Sequence, residues 1–161
     1  IELGCDSIEH GVLFTEEDME MLSKSETFLV STSGLNVVLL SDEAVPEFYR
    51  EKQRKAHDQA LENLRRAKRL GVHLACGNDT NHARMDLELG MLVQSGFTPL
   101  EAITVATRNG AELCGMLDDV GTLEVGKYAD FVAVSGDPLE DISVIRYPEK
   151  VFKGGTCYFS K

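Results

Sequence analysis

Tryptophan is missing from this 161-residue chain, and proline, cysteine and histidine occur only four times each. The cysteines, Cys5, Cys76, Cys114 and Cys157, stand far apart with no Cys-x-x-Cys. That spacing gives no support to a zinc knuckle or a redox pair. Cys5 and Cys76 lie in apolar, strand-like runs where a reduced thiol acts as a small hydrophobe, so a reducing, cytoplasmic setting is expected. No apolar run reaches the roughly 18–20 residues of a membrane helix, so no membrane partner is expected. Basic residues are outnumbered: 16 Lys and Arg face 27 Asp and Glu, for a net charge of −11 and a pI near 4.8. Such a surface repels phosphate backbones, which argues against nucleic acid as a partner. There is no internal repeat, no low-complexity segment, no glycine-rich phosphate loop and no His-x-His. The first residue is Ile1, without a basic or apolar leader, which reads as the interior of a longer chain or a cut from one.

What remains is ordinary for a folded domain: 43% of residues are hydrophobic, enough for a sizeable core. Cys5 to His10 reads as a short strand between Gly4 and Gly11. Thr15 with Glu16, Glu17 and Asp18 reads as a capped helix start, with Leu13, Phe14, Met19 and Leu22 on its apolar side. Thr27 to Thr32 is β-branched and apolar, a second strand. Pro46 to Leu70 is the clearest helix, with Phe48, Ala56, Ala60, Leu64, Ala67 and Leu70 at helical spacing and Gly71 as its stop. Val72 to Cys76 is a third strand, and Met85 to Ser95 a helix ending at Gly96. Thr98-Pro99-Leu100-Glu101 opens a further helix to about Arg108, with a short one over Asn109 to Met116. Beyond Asp119 the pattern turns to β, with strands expected at Ala129 to Val134, Val144 to Tyr147 and Val151 to Phe152. The chain thus divides into residues 1–118, alternating strand and helix, and residues 119–161, a small β region. Alternation implies an α/β fold with a parallel sheet, and three strands look like part of a larger barrel or open sheet.

Two strand ends carry candidate chemistry. His10 closes the first strand, and Asp79 follows the third in Gly77-Asn78-Asp79-Thr80. In α/β barrels the active-site face is built at the carboxyl ends of the strands. Imidazole and carboxylate are both zinc ligands, and a carboxylate there can also move a proton. The plainer readings stand beside these: a His ending a strand as a structural hydrogen-bonding residue, and an Asp in a turn as a cap.

Several motifs together resemble the amidohydrolase superfamily, with imidazolonepropionase-like hydrolases and Xaa-Pro and Xaa-Arg dipeptidases as the named likenesses. Ser7-Ile8-Glu9-His10-Gly11 resembles the sixth-strand segment. Gly71 to Thr80 resembles the eighth, with Asn78 in place of the more usual Thr or Ser. Thr98 to Ile103 and Ala106 to Ala111 resemble the helices after it, and Val120 to Val132 the Gly-x-Leu-x-x-Gly-Lys-x-Ala-Asp stretch. Gly136-Asp137-Pro138-Leu139 and Val151 to Gly155 extend the likeness to the end.

This resemblance implies strands 6–8 of a (β/α)8 TIM barrel, then the C-terminal part of a small β-sandwich. It implies that His10 and Asp79 are metal ligands, with Asp79 also the general base, and that His82 contacts substrate from the neighbouring loop. The implied cofactor is zinc, one or two divalent ions. The implied reaction is hydrolysis of an amide, cyclic amide or dipeptide C–N bond by metal-activated water. His57 is expected on the surface and His73 in the barrel wall, while Lys127 and Asp130 are assigned to a turn and a strand start. The family's His-x-His, its fifth-strand His and its fourth-strand Lys have no counterparts here, so tight metal binding by these residues alone is not expected. The chain therefore reads as a C-terminal fragment whose N-terminal half is the missing partner. The alternative is a non-catalytic remnant that pairs its open edges as an interaction module or homo-oligomer.

Overall fold

The structure, a computed structural model, describes residues 1–79 and 84–161. It contains two three-stranded sheets, and the first is parallel: β1 (Ser7–Glu9), β2 (Phe28–Ser31) and β3 (Leu74–Cys76), in the order β1-β2-β3. Its register aligns Ile8 with Leu29 and Leu29 with Leu74. That row joins the main core, so this face of the sheet is covered by helices. The other face carries Glu9, exposed, and Val30, half-buried. The same face also carries Phe28 and Ala75, both buried, so it is exposed only in part.

The helices between the strands form where the sequence supplies caps and apolar stripes. Helix α1 (Glu16–Leu22) starts at Thr15, whose hydroxyl accepts from Asp18 N at 3.2 Å while Thr15 N donates to Asp18 at 2.7 Å. This closed capping box satisfies two otherwise orphaned donors. Its Met19 and Leu22 are fully buried, but Leu13, expected beside them, is 91% exposed. Helix α2 (Gly34–Ser41) follows β2 directly and was not expected. Its run of Val37, Val38, Leu39 and Leu40 has no helical period, so pattern alone did not reveal it.

Helix α3 (Glu47–Leu70) buries Ala60, Leu64 and Ala67 and ends on Gly71 at φ +70°. Phe48, counted in its apolar stripe, is exposed instead, because the stripe meets the core only from its middle onward. Helix α4 (Met85–Gln94) buries Leu89, Met91 and Leu92. Helix α5 (Pro99–Thr104) passes without a break through a π-helical turn (Val105–Asn109) into α6 (Gly110–Leu113). The expected division at Asn109 is therefore a widened turn, and Asn109 uses its side chain to donate to the Leu74 carbonyl at 2.8 Å.

The second sheet is antiparallel: β4 (Phe131–Val134), β5 (Pro148–Lys153) and β6 (Thr156–Ser160), in that order. Phe131 and Phe152 stack across β4 and β5 at 4.4 Å. The strand expected at Val144 to Tyr147 is absent; Ile142–Arg146 is a 3-10 turn. Asp141 starts it by accepting from Ser143 N at 2.9 Å. Ile142 and Ile145, three residues apart, share a face in this geometry and pack on the main core. No helix among the described residues is long and apolar enough to cross a membrane.

Candidate functional site at the carboxyl ends of the parallel strands

Because β1, β2 and β3 run the same way, their carboxyl ends open on one side. His10 follows β1, Thr32 follows β2 and Asp79 lies three residues beyond β3. The outer two strands are separated by the central one, roughly 10 Å at the backbone. Their side chains close that gap: His10 Nδ1 lies 4.0 Å from Asp79 Oδ2. This is an ion-pair distance rather than a hydrogen bond. Between them, Thr32 Oγ1 is 2.6 Å from the same His10 nitrogen. Both side chains are about half exposed, at 54% and 53%, so the site is open to solvent and solute.

Both residues also have left-handed backbones, His10 at φ +71° and Asp79 at φ +41°. They are the non-glycine residues with positive φ among those described. Such conformations are uncommon, His and Asp tolerate them better than most, and they gather at functional sites. At His10 the strain is held from several directions. Its N–H donates to the Val30 carbonyl at 2.9 Å, fixing it to β2. The turn beyond it is gripped by buried Asn63 of α3, whose amide donates to the Gly11 carbonyl at 2.7 Å and the Val12 carbonyl at 3.0 Å. Gly11, at φ +61°, has no room for a side chain: a Cβ there would sit 2.6 Å from Leu29 Cδ1.

The loop carrying Thr32 is fixed from below. Glu88 of α4 is wholly buried, and its carboxylate accepts from the Ser31 hydroxyl, from Gly34 N at 2.6 Å and from the Ser33 backbone. Burial pushes the Glu88 carboxyl above its ordinary range, while these donors pull it back. Nearby, burial and then the Glu88 charge push the Cys76 thiol up to about 12, so it stays protonated and packs as an apolar group.

The other singled-out residues lie elsewhere. His73 falls just before β3 rather than within it and is exposed, its ring edge-on to Phe28 at 5.4 Å. It lines a groove of about 610 Å³ at the amino ends of β2 and β3, with Phe28, Leu74, Phe97, Leu100 and Arg108. Neither His10, Thr32 nor Asp79 lines it. His57, expected on the surface, is half-buried in α3 with Nδ1 covered. Lys127 donates to the Leu117 carbonyl at 2.5 Å and to Thr122 at 2.6 Å, and Asp130 accepts from Gly154 N at 2.6 Å. Both hold turns, as their place in the β region suggested. His82 lies outside the described residues. Among the described residues no third His, Cys, Asp or Glu joins His10 and Asp79 in a metal-holding group.

Three contributors escaped the sequence reading. Thr32 looked like the end of a strand, Asn63 like a polar gap in α3, and Glu88 like one acid among many. A polar residue on an otherwise apolar helix face was the available signal for Asn63 and Glu88.

A three-stranded parallel sheet interleaved with helices, with a His and an Asp converging at its carboxyl ends, defines a mixed α/β protein. The chain belongs to the Amidohydrolase family, which matches residues 4–157. It is 34% identical to ochratoxinase of Aspergillus niger over 98% of its own length and 35% of that protein. It is 30% identical to the imidazolonepropionase of Symbiobacterium thermophilum, over 83% of this chain and 29% of that protein. Among solved structures, a Xaa-Pro dipeptidase with methionine bound in its active site superposes with a TM-score of 0.86 at 34% identity. That match covers 98% of this chain and 40% of the dipeptidase. The chain therefore spans about a third of the length of the curated relatives it matches.

Proposed function

We propose that these residues form one wall of the active site of a metal-dependent hydrolase cleaving an amide or cyclic amide C–N bond. The observation that carries the reading is the 4.0 Å approach of His10 and Asp79 from two outer parallel strands, both in left-handed backbone. Family membership supports the same class, since ochratoxinase, imidazolonepropionase and Xaa-Pro dipeptidase are its relatives. In this reading β1, β2 and β3 are strands 6–8 of a (β/α)8 barrel formed by residues 1–118. Residues 119–161 then belong to a small β-sandwich. The remaining strands and ligands come from a segment outside these residues.

The donor set fits a zinc ion in kind but supplies two of the roughly four ligands such an ion needs. His10 and Asp79 would hold it from this side. A divalent metal there supplies Lewis-acid polarisation of the scissile carbonyl and makes water more acidic. Asp79, half exposed and beside an imidazole, takes the proton of the attacking water and returns it to the leaving nitrogen. His10, braced by Thr32 and by the Asn63-bound turn, keeps its ring at a fixed angle to that carboxylate.

The test is to measure zinc content and hydrolysis of N-acyl amino acids and dipeptides in the intact protein and two variants. Asp79→Asn should lower turnover by about 10²–10⁴, the usual contribution of a positioned acid–base. His10→Ala should lower bound zinc as well as turnover. Unchanged zinc and turnover in both variants would remove His10 and Asp79 from the site.

A further inference from the structure

The buried Glu88 carboxylate has no place in the proposed chemistry, yet holding a carboxylate out of water is costly unless it is well bonded. Its partners, Ser31, Ser33 and Gly34, bracket one residue: Thr32. The Ser31 and Ser33 hydroxyls also meet at 3.1 Å, closing the bracket. At Gly34 a Cβ would lie 3.0 Å from Glu88 N and 3.1 Å from its carboxylate, so the loop is pressed directly onto α4. Thr32 is thus one of the better-fixed groups at this end of the sheet, and its hydroxyl rests on His10 Nδ1 at 2.6 Å.

One proton lies between that nitrogen and that oxygen. Either the ring donates it to the hydroxyl or the hydroxyl donates it to the ring. The Asp79 carboxylate, 4.0 Å from the same nitrogen, favours the first, and the Thr32 oxygen is then the acceptor that holds the proton on the ring nitrogen. A negative charge there attracts a proton on Nδ1 and repels a bare lone pair. We propose that Thr32, held by the buried Glu88, is a positioning residue that fixes the proton of His10 on Nδ1 and leaves the Nε2 lone pair for a metal or a water. This rests on the reading of His10 as a site residue. It adds which nitrogen is presented, and it gives Thr32 and Glu88 their tasks. A hydrogen bond to the other ring nitrogen is a general means of setting which one faces a metal.

The experiment is two-bond ¹⁵N–¹H NMR of the histidine rings in the intact, metal-free protein, at about pH 8.5, where an ordinary imidazole is neutral. The native His10 ring should show the Nδ1–H pattern as the major tautomer. Thr32→Val, which keeps shape and removes the hydroxyl, should shift the ratio toward Nε2–H by about fivefold, the scale of one net hydrogen bond. Thr32→Ser should restore it. Glu88→Ala should shift the ratio the same way, because Thr32 loses its support. If Glu88→Ala does not fold, Ser31→Ala, which removes one donor to the carboxylate, should give a smaller shift in that direction. A native ring in the Nε2–H form, or a Thr32→Val ratio equal to the native one, overturns the proposal. A folded Glu88→Ala protein with the native ratio, or no shift in Ser31→Ala, overturns the part given to Glu88. These readouts use no metal and no turnover, so they fail independently of the hydrolase reading.

Discussion

At the scale of single residues, the site depends on backbone geometry as much as on chemistry. His10 bends the chain out of β1 at φ +71°, and Gly11 continues the bend at φ +61°. Gly11 is required twice over, by its left-handed backbone and by Leu29 Cδ1 lying 2.6 Å from where a Cβ would be. Gly11→Ala should therefore lower stability by about 1–3 kcal/mol, combining the left-handed penalty with a tight contact to a buried side chain. Urea denaturation would measure it; a loss below about 0.5 kcal/mol would show that the turn relaxes freely. The sequence made His10 and Asp79 visible because both follow strand-like runs, where barrel chemistry is built. It did not make Asn63, Thr32 or Glu88 visible, because their importance lies in partners 22 to 57 residues away. No local pattern encodes such a pairing.

At the scale of elements, the segments with strong end signals were the legible ones. The capping boxes at Thr15 and Thr98 and the glycine stop at Gly71 appear where the sequence placed them. Helix α2 and strand β6 carry no such marks and are not foreseen, and the strand expected at Val144 to Tyr147 on its β-branched residues falls largely within the 3-10 turn Ile142–Arg146. Tertiary packing of Ile142 and Ile145 overrode that local preference. The cap of α5 also gives a dependence on pH. Glu101 donates nothing; its carboxylate accepts from Lys68 at 2.7 Å and from Thr98 N at 2.6 Å, and these hold its pKa down to about 2. A carboxyl depressed in the folded state, against about 4.3 when unfolded, stabilises fully above that value. The contribution is lost as pH falls from about 4.3 toward 2. Glu101 is 47% exposed, so solvent screens the pair and the effect should stay below about 1 kcal/mol. Thermal melts of native and Glu101→Gln protein should differ near neutral pH and converge near pH 2; a constant difference would mean that the amide loses packing rather than charge.

At the scale of the whole molecule, the alternation of strand and helix correctly announced a parallel sheet, since β1, β2 and β3 do pair in that order and direction. The expected barrel and sandwich go beyond what the two three-stranded sheets themselves display, because three strands of either kind are compatible with more than one larger architecture. The central claim, that His10 and Asp79 face one metal, is tested most directly by anomalous diffraction at the zinc edge from crystals of the intact protein. The account predicts an anomalous peak about 2.0–2.2 Å from a His10 ring nitrogen and from an Asp79 carboxylate oxygen. Zinc bound elsewhere, with both side chains out of reach of it, would contradict the account.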